Sequence, residues 1–352
     1  MQWLLEAVRT GLEHELRREV ERHITALGLD MNGNNGGRSV TKDDIRRLHL
    51  QQRYANLRTE YQALQPQIPR LTGYFAEGHE VDPRKIYPQL IPVSAADSEE
   101  GRLFRLATTL WSVPVSKGYG RRMRFLVIDR QTGKLIGIFA LGDPVFNLRV
   151  RDDWIGWSVK QRERRLVNVM DAYVVGAVPP YNQLLGGKLI ASLIGSAEVA
   201  DSFERRYAGS KSIIRKRIRR PKLALVTVTS ALGRSSIYNR LRLGAMGELI
   251  RIGTTVGYGH FHVSHDLFRR MRDLLRLHGH KYADGYDYGR GPNWRMRVIR
   301  EALQKVGLDG ELLHHGVERE VFAMPIAKNW RDYLIGKTTR LKVERPPADH
   351  IS

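Results

Sequence analysis

DAYVVGAVPPYNQLLGGKL, residues 171–189, and PKLALVTVTSALGRSSIYNRLRL, residues 221–243, decide how this chain is read. Each is an apolar run that ends in small and polar residues and passes through a glycine-bearing turn into a segment of helical period. Strand, turn and helix are thus played twice, and the carboxyl ends of strands are where α/β proteins hold ligands. In the first turn Pro179 and Pro180 stiffen the strand exit and place Tyr181 and Asn182 at the mouth of a helix start. Gly186 and Gly187 let the backbone approach a ligand, and Lys188 adds charge. In the second turn Gly233 leads into Arg234, Ser235 and Ser236, followed by Tyr238, Asn239 and Arg240. Hydroxyls and guanidiniums at an expected helix N-terminus suit a phosphate or carboxylate. The phosphate or cofactor candidates are therefore Asn182, Gly186, Gly187, Ser235, Ser236 and Asn239, with Tyr181 and Tyr238 as candidate catalytic phenols. Close helix–sheet packing is the competing explanation for the glycines, and a plain serine cap the competing explanation for the second turn.

Composition narrows the class. A chain of 352 residues, 42% apolar and 27% charged, is long enough for one large domain or two smaller ones and is globular in character. It has no cysteine, which removes disulfides and thiolate zinc sites. The N-terminus carries acids throughout and has no basic leader before an apolar core, and no window approaches 18 uncharged apolar residues. A cytoplasmic protein without a membrane partner is expected. Fifty-eight Lys and Arg against thirty-seven Asp and Glu give a formal charge of +21, which points to a polyanion, above all nucleic acid.

Outward from the two turns, the sequence predicts four regions. Residues 1–65 read as a helical region, with apolar positions at helical spacing from Leu4 to Ile24 and a second helix capped by Thr41. Residues 66–100, rich in Pro, Gly and charge, read as a linker. Residues 101–336 form the core, and 337–352 a frayed tail. Within the core, FLVID and KLIGIFAL flank Arg130-Gln131-Thr132-Gly133, a hairpin between apolar strands. With the two strand–turn–helix units this makes a mixed α/β sheet flanked by helices.

Three further stretches carry candidate chemistry. KSIIRKRIRRPK, 211–222, holds seven basic residues in twelve, and Lys211, Arg215, Lys216, Arg217, Arg219 and Arg220 are candidate phosphate contacts. Lys188, Arg234 and Arg240 extend that set. GRGPNWRMR, 289–297, combines Arg290, Arg295 and Arg297 with Trp294, cations beside a stacking surface, as unpaired bases require. Trp294 as a core anchor is the alternative. GYGHFHVSH, 257–265, alternates His260 and His262 on what reads as a strand, with His265 near, so these are the weak metal candidates and His260 and His262 candidate catalytic groups. Histidines satisfied by hydrogen bonds are the commoner outcome. The His-hydrophobic-His pattern, with Tyr282 and Tyr286 downstream, resembles that of HUH-type DNA nickases.

The order of a strand ending at 175–178, a glycine turn, a helix, a strand ending near Thr227 and then SSIYNRLRLG is similar to the core of GNAT-type acyltransferases. The resemblance implies a GNAT-like sheet, a cofactor pyrophosphate on the first turn and a tyrosine at Tyr238. Lys188 stands where that family's turn ends in Gly or Ala, so no cofactor is assigned. PPYNQLLGGKL, TSALGRSSIYNRLRL, GYGHFHVSHDLF, GRGPNWRMRVIREAL and LLHHGVEREVFAMPIAKNW, in that order over residues 100 to 336, resemble the DruA family of Druantia anti-phage defence systems. This second resemblance implies a role in bacterial defence beside a helicase-type partner or other Druantia subunits; together with the charge and the basic strip at 211–222 it makes DNA the expected partner. The alternatives it leaves open are an enzyme that modifies a nucleobase or protein with an acyl-type group, metal-dependent nicking through His260 and His262, and an adaptor that docks through its N-terminal helices.

Overall fold

A computed structural model describes residues 2–29, 40–115, 120–209, 221–241, 248–285 and 292–348. The strip at 211–220, Arg290 and Tyr286 lie outside these residues. In chain order the elements are α1 (Gln2–Ala26), α2 (Lys42–Leu48), α3 (Leu50–Leu64), α4 (Ile68–Thr72), β1 (Pro88–Pro92), α5 (Glu99–Thr108), β2 (Arg122–Asp129) and β3 (Leu135–Gly142). There follow α6 (Arg149–Ile155), α7 (Val159–Arg165), β4 (Val169–Ala177), α8 (Gly186–Leu193), α9 (Ala197–Tyr207), β5 (Leu225–Thr229) and β6 (Ile250–Thr254). The chain closes with α10 (His265–Leu277), α11 (Pro292–Lys305), β7 (Glu320–Pro325) and α12 (Trp330–Leu334). No described helix is long and apolar enough to cross a membrane.

The chain divides into two compact units, Met1–Ala55 with Val256–Arg319, and Asn56–Thr255 with Glu320–Ser352. This differs from the expected partition, because the N-terminal helix shares its core with a segment roughly 240 residues further on rather than forming a region of its own. In that first unit Leu16, Val20 and Ile24 of α1 pack with Leu267, Met271 and Leu275 of α10 and with Val298, Ile299 and Ala302 of α11. The i, i+4, i+8 spacing on α1 is what puts its three residues on one buried stripe.

The second unit is built on a seven-stranded sheet of order β1-β2-β3-β4-β5-β7-β6. All neighbours are antiparallel except β4 and β5. All eight residues of β3 are buried, as befits a central strand covered on both faces. The β2–β3 hairpin turns where the sequence places it, with Gly133 at φ +69 and the Asp129 and Lys134 backbones bonded at 2.7 Å. Phe125 and Phe139 face each other across it with ring centroids 4.8 Å apart, an aromatic cross-strand pair worth about 0.2–1 kcal/mol. One face of the sheet is covered by α8 and α9 through Ile190, Leu193, Val199 and Phe203. The other face carries two separate apolar clusters. Leu71, Leu103 and Phe104 from α4 and α5 lie on Ile138, Ala140 and Val174, whereas Ile155 and Tyr333 from α6 and α12 lie on Val169, Leu225 and Ala323.

Three sequence expectations change here. The stretch 66–100 contains β1, an edge strand of the sheet, so it is not a linker throughout. The tail is ordered through Ala348, whose N–H donates to Glu198 Oε1 at 2.9 Å and which is 4% exposed. The helix expected after Gly233 is a single 3-10 turn at Tyr238–Arg240, and residues 242–247 lie outside the described set.

Candidate functional site at the two turns

In the first turn the chain leaves β4 through Pro179 and Pro180 and makes a short turn at Tyr181–Gln183 before α8 begins. Leu185 takes φ +62, a left-handed conformation that directs Gly186 inward. A Cβ on Gly186 would lie 2.5 Å from the Tyr181 carbonyl oxygen, so glycine here serves close packing. Tyr181 itself is not at a mouth: it is fully buried and donates to Asp129 Oδ2 at 3.1 Å, and burial pushes its phenol up to about 12. Asn182 is exposed and Lys188 partly so.

The second turn is held by a carboxylate that is distant in sequence. Glu320, at the start of β7 and 4% exposed, accepts the Ser235 N–H at 3.0 Å, the Asn239 amide at 2.8 Å and the Arg251 guanidinium at 3.1 Å. Burial alone would raise the Glu320 carboxyl, and these three donors together hold it below its ordinary value. An internal anion therefore occupies the donors that the sequence offers to a ligand. Ser236, Arg234 and Arg240 remain exposed. Ser235 Oγ accepts the Tyr238 N–H at 3.2 Å, and Tyr238 packs edge-on to Phe322 at 5.3 Å. Burial, with the charge of Asp171 added, drives the Tyr238 phenol well above the usual tyrosine value.

The two turns meet. A Cβ on Gly187 would lie 3.1 Å from Ile237 Cδ1, so the start of α8 rests on the loop that carries Tyr238. Below them β4 and β5 pair over only four positions, Val169–Ala172 with Leu225–Val228, and beyond these β4 continues to Ala177 without its parallel neighbour. The two glycines give a paired prediction. Gly186→Ala, which meets backbone, destabilises by about 1–3 kcal/mol, whereas Gly187→Ala, which meets a flexible methyl, changes stability by less than about 1 kcal/mol. Urea unfolding of the two variants checks this.

The candidates of the other unit sit differently. His260 and His262 lie in a loop, not on a strand, with Val263 N–H closing on His260 O at 3.1 Å. His262 is 3% exposed and its Nε2 meets the Leu312 carbonyl at 3.0 Å. His265 Nδ1 is 3.4 Å from Arg295 Nη1. Among the described residues no group of three or more His, Asp or Glu is placed to hold a metal. Trp294 is 7% exposed, packs edge-on to Phe268 and donates to Tyr282 O at 2.6 Å, so it anchors a core and presents no stacking face. Arg295 donates to Val263 O at 2.9 Å and Arg297 to Tyr282 Oη at 3.1 Å, both bracing the same region.

Sequence reasoning passed over Glu320, Asp171 and Arg122. Asp171 stood in the opening stretch as a lone carboxylate leading an apolar strand, which was its available signal.

Comparison with known proteins supplies the family. The family model described as Druantia protein DruA matches residues 39–336. A curated Druantia protein DruA from Escherichia coli (strain UMEA 4076-1) is 46% identical over 319 residues, spanning 90% of this chain and 79% of that protein. No solved structure matches. With its two turns joined over a mixed sheet and this likeness across most of its length, the chain belongs to the DruA family.

Proposed function

We propose that the protein is the DNA-engaging component of a Druantia-type anti-phage defence system, working beside a helicase-type or other subunit of that system. The observation that carries this reading is the charge of +21, from 58 Lys and Arg against 37 acids. A like-charged surface of this size raises the energy of the compact state and is relieved by a polyanion. At the joined turns Arg234 and Arg240 are exposed and, among the described residues, pair with no carboxylate, which leaves them for phosphate. The strip at 211–220 follows α9 directly in sequence and adds six cations. Binding to a DNA duplex measured between about 50 and 200 mM salt tests the reading: affinity falls by about a thousandfold or more, as expected when six or more phosphates are neutralised. A flat salt response, or no binding at the lower salt, overturns it.

A second reading has its own support. The strand order, the single parallel pair and the early parting of β4 from β5 fit a GNAT-like core, and Tyr238 stands on the turn beside that parting as a phenol kept neutral at pH 7. Such a phenol suits proton donation to a leaving group during acyl-type transfer to a nucleobase or protein. Calorimetric titration with acyl-CoA tests it, and absence of heat in the wild type removes it.

A further inference from the structure

Between β4 and α8 four exposed residues, Asn182, Gln183, Leu184 and Leu185, stand between two buried ones, Tyr181 and Gly186. Their backbone is bonded inward. The N–H groups of Asn182, Gln183 and Leu184 donate to the Val178, Pro180 and Tyr181 carbonyls, each at 3.0 Å, and the Lys188 N–H donates to Leu185 O at 2.8 Å. Tyr181 is tied beneath to Asp129, and Gly186 packs on the Tyr181 carbonyl. The four residues therefore form a knob fixed at both ends.

The top of the knob is apolar. Leu184 is 38% and Leu185 68% exposed, and among the described residues neither joins any of the four apolar clusters. Leu185 also holds φ +62, where an L side chain crowds the following carbonyl and glycine sits without strain. The fold gains no packing from this leucine that glycine would forgo, so the reason for its side chain is to be sought in a contact outside the molecule.

The surroundings say what kind of contact. No Asp or Glu occurs between Asp171 and Glu198, nor between Glu204 and Glu248, the two stretches that hold the joined turns, and the sheet unit carries most of the chain's excess of Lys and Arg. Glu320, the carboxylate that enters the second turn, is 4% exposed and taken up by Ser235, Asn239 and Arg251. Lys188, Arg234 and Arg240 are the charges that reach solvent at these turns. An apolar tip flanked by neutral amides and surrounded by cations matches the minor groove of duplex DNA. There Asn and Gln amides donate to base-edge acceptors, cations take phosphates, and an apolar side chain wedges a base step open. Unpaired bases instead stack on aromatic faces, and the knob exposes none.

We propose that Leu184 and Leu185 form a wedge that enters duplex DNA from the minor groove and unstacks one base step, with Asn182 and Gln183 donating to the base edges beside it. The proposal rests on the DNA reading above and adds that the duplex is deformed as well as held.

Duplexes with 2-aminopurine at a central step, one fully paired and one with a mismatched neighbour, test it with the full-length protein at about 50 mM salt. Wild type raises the 2-aminopurine fluorescence at least about twofold and binds the mismatched duplex about tenfold more tightly, because a mismatched step costs less to unstack. Leu184→Ala with Leu185→Gly loses both signals and keeps the salt dependence, since the cations remain; glycine suits the left-handed φ, so the knob keeps its shape. Leu184→Gln with Leu185→Asn, which replaces the apolar surface by amides, behaves in the same way, asparagine also tolerating that φ. Circular dichroism confirms that both variants are folded. Wild-type binding without a fluorescence rise, or an equal rise in both double variants, overturns the wedge, and with the salt dependence intact the DNA reading stands. Absence of DNA binding by wild type removes the DNA reading itself, and the wedge with it.

Discussion

Asp152→Asn lowers the stability of the protein by about 3–5 kcal/mol, because it strands a buried cation. The Asp152 carboxylate accepts from Arg151 Nε at 2.9 Å and Nη2 at 2.7 Å, from Arg162 Nη1 at 2.8 Å, from Trp157 Nε1 at 3.0 Å and from the Leu148 N–H at 3.1 Å. Arg151 has no solvent exposure, and burial pulls its guanidinium below the ordinary value even with Asp152 opposing that fall. Removing the carboxylate charge leaves that guanidinium with the Val145 and Phe146 carbonyls, a neutral amide oxygen and the Asp171 charge, so a buried pair is broken with one cation left in place. Neighbouring Asp153 supplies the control. Its pair with Arg149 is 72% and 88% exposed, so Asp153→Asn stays within about 0.5 kcal/mol of wild type. Thermal melting reads the difference, and a double variant Arg151→Met with Asp152→Leu recovers part of what Asp152→Asn loses, because the fully buried cation is gone and only Arg162, 14% exposed, is left without the carboxylate. Equal melting of Asp152→Asn and Asp153→Asn would refute the network's role.

Stability falls steeply as the pH drops from about 6.5 towards 4. In the helical unit His49 and His315 flank Phe261, the first stacked at 4.6 Å and the second edge-on at 4.5 Å, with His262 5.7 Å from His315. Burial lowers His49 and His262 to about 4 and His315 to about 3, with Arg319 adding to the depression of His49 and His315, and His314 to that of His315. A backbone hydrogen bond to Leu312 opposes the fall at His262, and His23 adds to it. Because each folded value lies below the unfolded one, the unfolded chain takes up protons first on acidification. The stabilisation is complete above the unfolded value near 6.5 and is lost as the pH approaches the folded values. One such histidine alone removes about 2 kcal/mol at pH 5, and the three together more, though less than their sum because they interact. Urea unfolding at pH 7.5, 6 and 5 measures the slope, and His262→Gln flattens it. A stability unchanged between about pH 7.5 and 5 would contradict the prediction.

Legibility in the sequence followed the range of the interactions that decide each element. The β2–β3 hairpin and strands β4 and β5 were readable because apolar runs and Gly133 are local signals. β1 was not, since a PQLIP edge strand can begin and end in proline without losing ladder bonds it needs. Tyr181 looked like a ligand group beside two prolines, yet its partner Asp129 is 52 residues earlier. Ser235 and Asn239 looked like a free anion site, yet Glu320, which takes their donors, is 85 and 81 residues later. Trp294 was readable either way, as a stacking group or as a core anchor. With Val298, Ile299 and Ala302 it continues a helical apolar stripe, which identifies a core position as readily as a stacking one.

The place of β7 bears on how the protein is made. It lies between β5 and β6 but follows both in the chain, the last in order among the described strands, so a nascent chain that has not reached it leaves the facing edges of β5 and β6 open to pair with other chains. The same strand delivers Glu320, without which the turn bearing Tyr238 has no anchor. Ribosomal synthesis must therefore pass Glu320–Pro325 before that turn can take its shape, and fragments released before it lack both a closed sheet and a formed turn.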